Sequence, residues 1–149
     1  MTDTTPVHND RTDREIMVGM RGGPGSVSVR HFRFDGAGAP ARFLILDIPP
    51  GAAEGVHTHR TDDANGIGAY DEFYYIIAGN GLMTLGPHTF AVGAGDYLHA
   101  PLNVPRGLAN IAPDCALKVH LTVVLREPIG AAEFPSEHCG ESRSKGFPV

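Results

Sequence analysis

Apolar residues along this chain recur at intervals of two. In the segment 115–125 the odd positions Cys115, Leu117, Val119, Leu121, Val123 and Leu125 are apolar, while the even ones include Lys118, His120 and Thr122. That alternation predicts a strand with one core face. Similar runs predict strands over 15–20, 26–34, 41–48, 54–59, 72–77, 82–85, 89–92, 97–100 and 108–111. Nothing reads as a long helix. With 19 Gly and 12 Pro, the chain is cut into short segments separated by turns. Asn80-Gly81, between two strand-like runs, predicts a tight hairpin. Pro49-Pro50-Gly51, Gly93-Ala94-Gly95-Asp96 and Pro113-Asp114 predict further turns. Within 26–34 the apolar set changes phase, from Val27 and Val29 to Phe32 and Phe34, which predicts a bulge or a strand passing between two environments. Ten short strands close together point to an all-β sandwich or barrel, because closure removes exposed edges. Residues 1–14 read as an arm, 15–126 as the barrel, and 127–149 as a tail packing on the barrel or on a partner.

Composition narrows the possibilities. A chain of 149 residues, 42% hydrophobic and 19% charged, is the size of one globular domain. Its formal net charge of −5, with Lys and Arg dispersed, argues against nucleic acid or a membrane surface as partner. The first twenty residues lack the apolar run of a signal peptide, and no stretch approaches a membrane span, so the expected location is cytoplasmic. Cys115 and Cys139 match no metal or disulfide pattern. Cys115, in an apolar run, is expected to be a small buried hydrophobe, and Cys139, in a polar stretch, to be exposed.

The chemistry begins at His57-Thr58-His59. Residues two apart on a strand share a face, so both imidazoles can reach one ion. Alone the pair reads equally well as a polar surface. Downstream, Glu72 heads the apolar run Phe73-Tyr74-Tyr75-Ile76-Ile77, where an unpaired carboxylate would be costly. Two histidines and one carboxylate can form a facial triad with open coordination positions. Tyr74 shares the face of Glu72 by alternation and is a candidate for substrate binding. His120 falls on the polar face of its strand, and Tyr70 and Asp71 lie close enough to approach the site.

Gly51, His57-x-His59, Glu72 and Gly79 together resemble the first motif of the cupin superfamily. Gly95-Asp96-Tyr97-Leu98-His99-Ala100-Pro101, running to Asn110, resembles its second motif. The resemblance spans roughly residues 41–125. It implies a double-stranded β-helix, or jelly-roll, barrel of the small conserved-barrel type. It also implies a homodimer, with His57, His59 and Glu72 at the positions of the first three metal ligands. Three features depart from the pattern. The twelve residues 60–71 between His59 and Glu72 are more than the family uses; they read as a loop beside the site, or as a tolerated insertion. Asn103 stands where the family prefers Gly, a mild change because Asn tolerates left-handed geometry. Arg106 stands where the family has its last His ligand, and a guanidinium cannot bind a cation. Three arrangements accommodate Arg106: a three-ligand site, His99 as substitute ligand, or an Arg106–Glu72 ion pair in place of the metal. A buried guanidinium also suits recognition of an anion.

The expected function is therefore that of a metal-dependent enzyme acting on a small anionic organic molecule bound by Arg106 and Tyr74. The metal would be one divalent transition ion, with Fe(II) favoured over Zn, Mn or Ni, and the reaction of dioxygenase type. Two alternatives stand beside it: an isomerase, cyclase or lyase using the metal as Lewis acid, and a metal-free binding protein.

Overall fold

The computed structural model describes residues 14–34, 38–61 and 68–126; nearly all of the arm and tail expected at the two ends, Cys139 and half of the 60–71 loop lie outside them. Ten strands run in order: β1 (Arg14–Val18), β2 (Ser26–Phe32), β3 (Arg42–Ile48), β4 (Ala53–His57) and β5 (Tyr70–Ala78), followed by β6 (Asn80–Leu85), β7 (His88–Gly93), β8 (Tyr97–Ala100), β9 (Arg106–Asn110) and β10 (Leu117–Leu125). A single turn of 3-10 helix, Met20–Gly22, joins β1 to β2. Two antiparallel sheets result, one ordered β1-β2-β3-β10-β5-β8 and the other β4-β9-β6-β7. Every expected strand is present, and the architecture is the jelly-roll barrel. Among the described residues no helix is long and apolar enough to cross a membrane.

Alternation explains which faces meet. Val29, Leu46, Val119 and Ile76 form one row across β2, β3, β10 and β5, each no more than 1% exposed. Met83 and Leu108, paired across β6 and β9, belong to the same core from the second sheet. Burying side chains of this size contributes about 1.5–3 kcal/mol each. Four pairs further along the first sheet, the inward row becomes Val123, Glu72 and Ala100. The apolar core thus gives way to a carboxylate at one end of the barrel.

Two local expectations change, and a third is decided between its alternatives. Asn80-Gly81 is no hairpin turn: β5 and β6 belong to different sheets, and Gly81 is already paired with Val92 and Asn110. The corner is made by Gly79 at φ 88°, where an added Cβ would lie 2.5 Å from the Ala116 carbonyl oxygen. The phase change in β2 involves no bulge, since its pairing with β3 is unbroken from Ser28–Asp47 to Phe32–Phe43. Instead the apolar set moves to the outer face, where Phe32 and Phe34 pack edge-on to Phe43 and Phe43 lies against His120. Cys115 is exposed, not buried. Strand β10 starts only at Leu117, because the preceding loop is tied to Asn110, whose Nδ2 donates to the carbonyls of Ile48 and Cys115.

Candidate metal centre

The site forms where four strands end or begin. His57 closes β4, Arg106 opens β9, Ala100 closes β8, and Glu72 lies third in β5. His57 pairs with Arg106, which pairs in turn with Leu85 of β6. Strand β4 carries an irregularity: Glu54 pairs with Leu108 and His57 with Arg106. Three steps along β4 therefore match two along β9, a bulge of one residue. Its effect is to turn both Glu54 and His57 toward partners on the inner face of β9. Gly55 at this bulge is packed against the chain that follows β1; a Cβ there would lie 2.2 Å from the Arg21 carbonyl oxygen.

His57, His59 and Glu72 come together, each offering one ligand atom, with all three atoms within 4.8 Å of one another. The Nε2 atoms of the two histidines are 3.0 Å apart, and His59 Nε2 is 3.1 Å from Glu72 Oε1. His57 Nδ1 is 2.7 Å from the Gly55 carbonyl oxygen. It must donate there, so neutral His57 presents the lone pair of Nε2 to the cluster. Burial pushes the His57 pKa down to about 4, despite the Gly55 carbonyl and Glu72 acting in the opposite sense. The ring is therefore neutral near pH 7, the form that binds metal. The other nitrogen of His59, Nδ1, is 2.8 Å from the hydroxyl of buried Tyr70. A hydroxyl can donate or accept, so Tyr70 can accept a hydrogen bond from Nδ1–H when Nε2 is needed as a ligand. The Asn103 amide donates to the His59 carbonyl at 2.8 Å, and Asn103 has the left-handed geometry expected of it, φ 66°.

Burial alone would raise the pKa of Glu72. The hydrogen bond and charge of His59, together with Arg106, outweigh it and hold this carboxyl below its ordinary range. Arg106 is fully buried. Its NH2 donates to the carbonyls of Ala100 and Pro101, and its NH1 lies 3.5 Å from Glu72 Oε2. Among the described residues neither Nε nor NH1 has a hydrogen-bond partner. Tyr74, also buried, places its hydroxyl 3.0 Å from Glu72 Oε2 and 2.7 Å from Glu54 Oε1. That hydroxyl is shared by two carboxyls, so Tyr74 is a partner of Glu72.

His99 does not join the three. It pairs with Phe73, one residue out of phase with Glu72, and so faces away from the interior. There it stacks on the Phe73 ring and its Nε2 lies 2.8 Å from Asp71 Oδ2, an aspartate also held by Arg126. His120 lies on this outer face too, hydrogen-bonded to Thr122. Sequence alternation missed Glu54, because regular pairing would place it opposite His57.

The donor set fits a divalent first-row transition metal: two imidazoles with their outer nitrogens occupied, and one carboxylate favoured in its charged form. A model of the cupin domain matches residues 44–124, more than half of the chain. The chain belongs to the cupin family. Solved structures agree on the barrel. A predicted oxalate decarboxylase from Thermotoga maritima superposes with TM-score 0.69 at 23% identity, over 82% of this cupin and 100% of that chain. A cupin 2 conserved barrel domain protein from Salinispora arenicola gives 0.59 at 13%, over 81% and 88%. KdgF from a Halomonas species gives 0.55 at 18%, over 83% and 97%. At such identities the likeness concerns the fold. In sequence, 64 residues are 36% identical to an uncharacterized protein of Methanocaldococcus jannaschii, covering 43% of this cupin and 45% of that protein. The match thus spans less than half of that relative.

Proposed function

We propose that this cupin is a mononuclear metal-dependent enzyme acting on a small anionic organic molecule, with Fe(II) as the metal and a dioxygenase-type oxidation as the reaction. One observation carries the reading. His57, His59 and Glu72 converge within 4.8 Å, and the next strand supplies Arg106, with two donors that lack a hydrogen-bond partner among the described residues, where a further ligand would otherwise stand. Two His and one carboxylate leave positions for a substrate and for oxygen. Iron held there supplies the redox chemistry that O2 activation needs.

The chain's own residues supply the rest. His57 is held neutral by burial and by its bond to Gly55. Glu72 stays ionised through His59 and Arg106. Arg106 offers positive charge and free N–H groups to an anionic substrate, in surroundings dry enough to make that attraction strong. The Arg106–Glu72 contact of 3.5 Å supports a second reading, in which this ion pair takes the metal's place and the protein only binds small molecules.

Metal analysis of the purified protein separates the two. The enzyme reading expects one equivalent of transition metal, lost in His57→Ala; protein that neither carries nor takes up metal would refute it. Arg106→Met then tests the anion contact. Metal content should hold while KM for an anionic substrate rises about tenfold or more, the cost of one charge-assisted hydrogen bond. Loss of the metal instead would make Arg106 structural.

A further inference from the structure

Glu54 is a carboxyl buried to the same degree as His59 and Glu72, yet it stands outside the cluster they form with His57. Among the described residues its hydrogen-bond partner is Tyr74. The Tyr74 hydroxyl in turn reaches Glu72, and it reaches only one of the two oxygens: Oε2, at 3.0 Å. Oε1 is the oxygen directed at His59. The two faces of the Glu72 carboxylate are thus divided, Oε1 toward the histidines and Oε2 toward Tyr74 and Arg106.

We infer that Tyr74 and Glu54 are positioning residues for Glu72, the Tyr74 hydroxyl, backed by Glu54, engaging Oε2 so that Oε1 alone serves as the metal-binding oxygen. The inference rests on the metal reading above. Geometry supports it. Tyr74 and Glu72 lie two apart on β5 and share its inner face, and Glu54 meets the same hydroxyl from the other sheet at 2.7 Å, so one O–H is fixed between two buried carboxyls. Contacts that meet at one hydroxyl in a dry interior strengthen one another. A carboxylate so held cannot swing to bind through both oxygens, and a coordination position stays open. Outer contacts of this kind orient ligands and tune the metal in other proteins.

The test is a Co(II) titration of the full chain after chelator treatment, following both affinity and the visible ligand-field spectrum. Tyr74→Phe keeps the buried ring and removes the hydroxyl. It should weaken Co(II) binding about 10- to 100-fold and change the spectrum, as Glu72 becomes free to bind through both oxygens. Glu54→Gln should keep the wild-type spectrum and bind within about threefold of wild type, well inside the loss expected for a removed outer contact, since its side-chain amide can keep a hydrogen bond to the Tyr74 hydroxyl. Unchanged affinity and spectrum in Tyr74→Phe would overturn the inference while leaving the metal reading intact. Glu54→Leu, which loses the bond to the hydroxyl, should move affinity and spectrum as Tyr74→Phe does; wild-type behaviour there would overturn the part given to Glu54. A wild-type protein that binds no Co(II) would overturn both.

Discussion

Replacing Glu54 by glutamine also isolates the effect of a buried proton on folding. Burial, followed by the nearby charge of Glu72, raises the Glu54 pKa from 4.5 to about 8, against the opposing pull of Tyr74, Arg21 and Arg106. Tyr74 and Glu72 face it from β5, Arg106 from β9 and Arg21 from the 3-10 turn. Between pH 4.5 and about 8 the folded protein keeps a proton on Glu54 that the unfolded chain has released. The folded state then binds more protons, so stability falls as pH rises across that window and is complete below it. The slope is about 1.4 kcal/mol per pH unit for one proton. The glutamine side chain resembles the protonated carboxyl in shape and does not titrate. The stability of Glu54→Gln relative to wild type should therefore grow by about 3 kcal/mol between about pH 5.5 and 7.5, two units at that slope. Denaturant unfolding of both proteins in chelator at several pH values measures it, and the other titrating groups cancel to first order in the difference. A difference that stays flat with pH, or shrinks as pH rises, would refute a protonated Glu54.

Three further outcomes follow from named contacts. Gly55→Ala should destabilise the fold by several kcal/mol, about the scale of a severe overpacking or strain defect, and lower metal uptake, because the new Cβ meets the Arg21 carbonyl oxygen at 2.2 Å; thermal unfolding and metal analysis check both. His99→Ala should leave metal stoichiometry at the wild-type value, since its partners are Asp71 and Phe73 on the outer face; loss of metal would show that it reaches the site. Asn110→Ala should cost about 2–3 kcal/mol in chemical denaturation, because Asn110 bonds the Ile48 and Cys115 carbonyls and the Ala112 amide.

Much of this was legible in the sequence because a strand writes its faces in alternate letters. His57 and His59 share parity, Glu72 heads an apolar run, and the odd positions of β10 from Leu117 to Val123 are all buried. What stayed hidden depends on pairing between distant strands. Asn80-Gly81 has the letters of a hairpin, but the chain changes sheets there and Gly79 makes the corner. His99 sits beside an inward alanine, and only its register with Phe73 shows that it faces out. Cys115 extends the apolar parity of β10, yet the side chain of Asn110 draws that stretch into a loop. Glu54 has the wrong parity for the site, and nothing local announces the bulge that corrects it. Tyr70 has the parity of Glu72, but its contact with His59 spans a loop whose path no pattern predicts.

The extra residue in β4 has a further consequence for how such a site can be lost or gained. Substitution at any one position between Glu54 and His57 leaves the count of residues unchanged, three steps against two on β9. Deleting one residue there, Val56 for instance, would leave two steps against two, so Glu54 and His57 would both face inward by plain alternation. The present count without the bulge would instead slip Glu54 to the place opposite Ala109 and turn it outward, and Tyr74 would lose the carboxyl behind it. The companion acid thus depends on the bulge while the extra residue is there, and a three-nucleotide deletion in the coding frame would keep it in place by alternation alone.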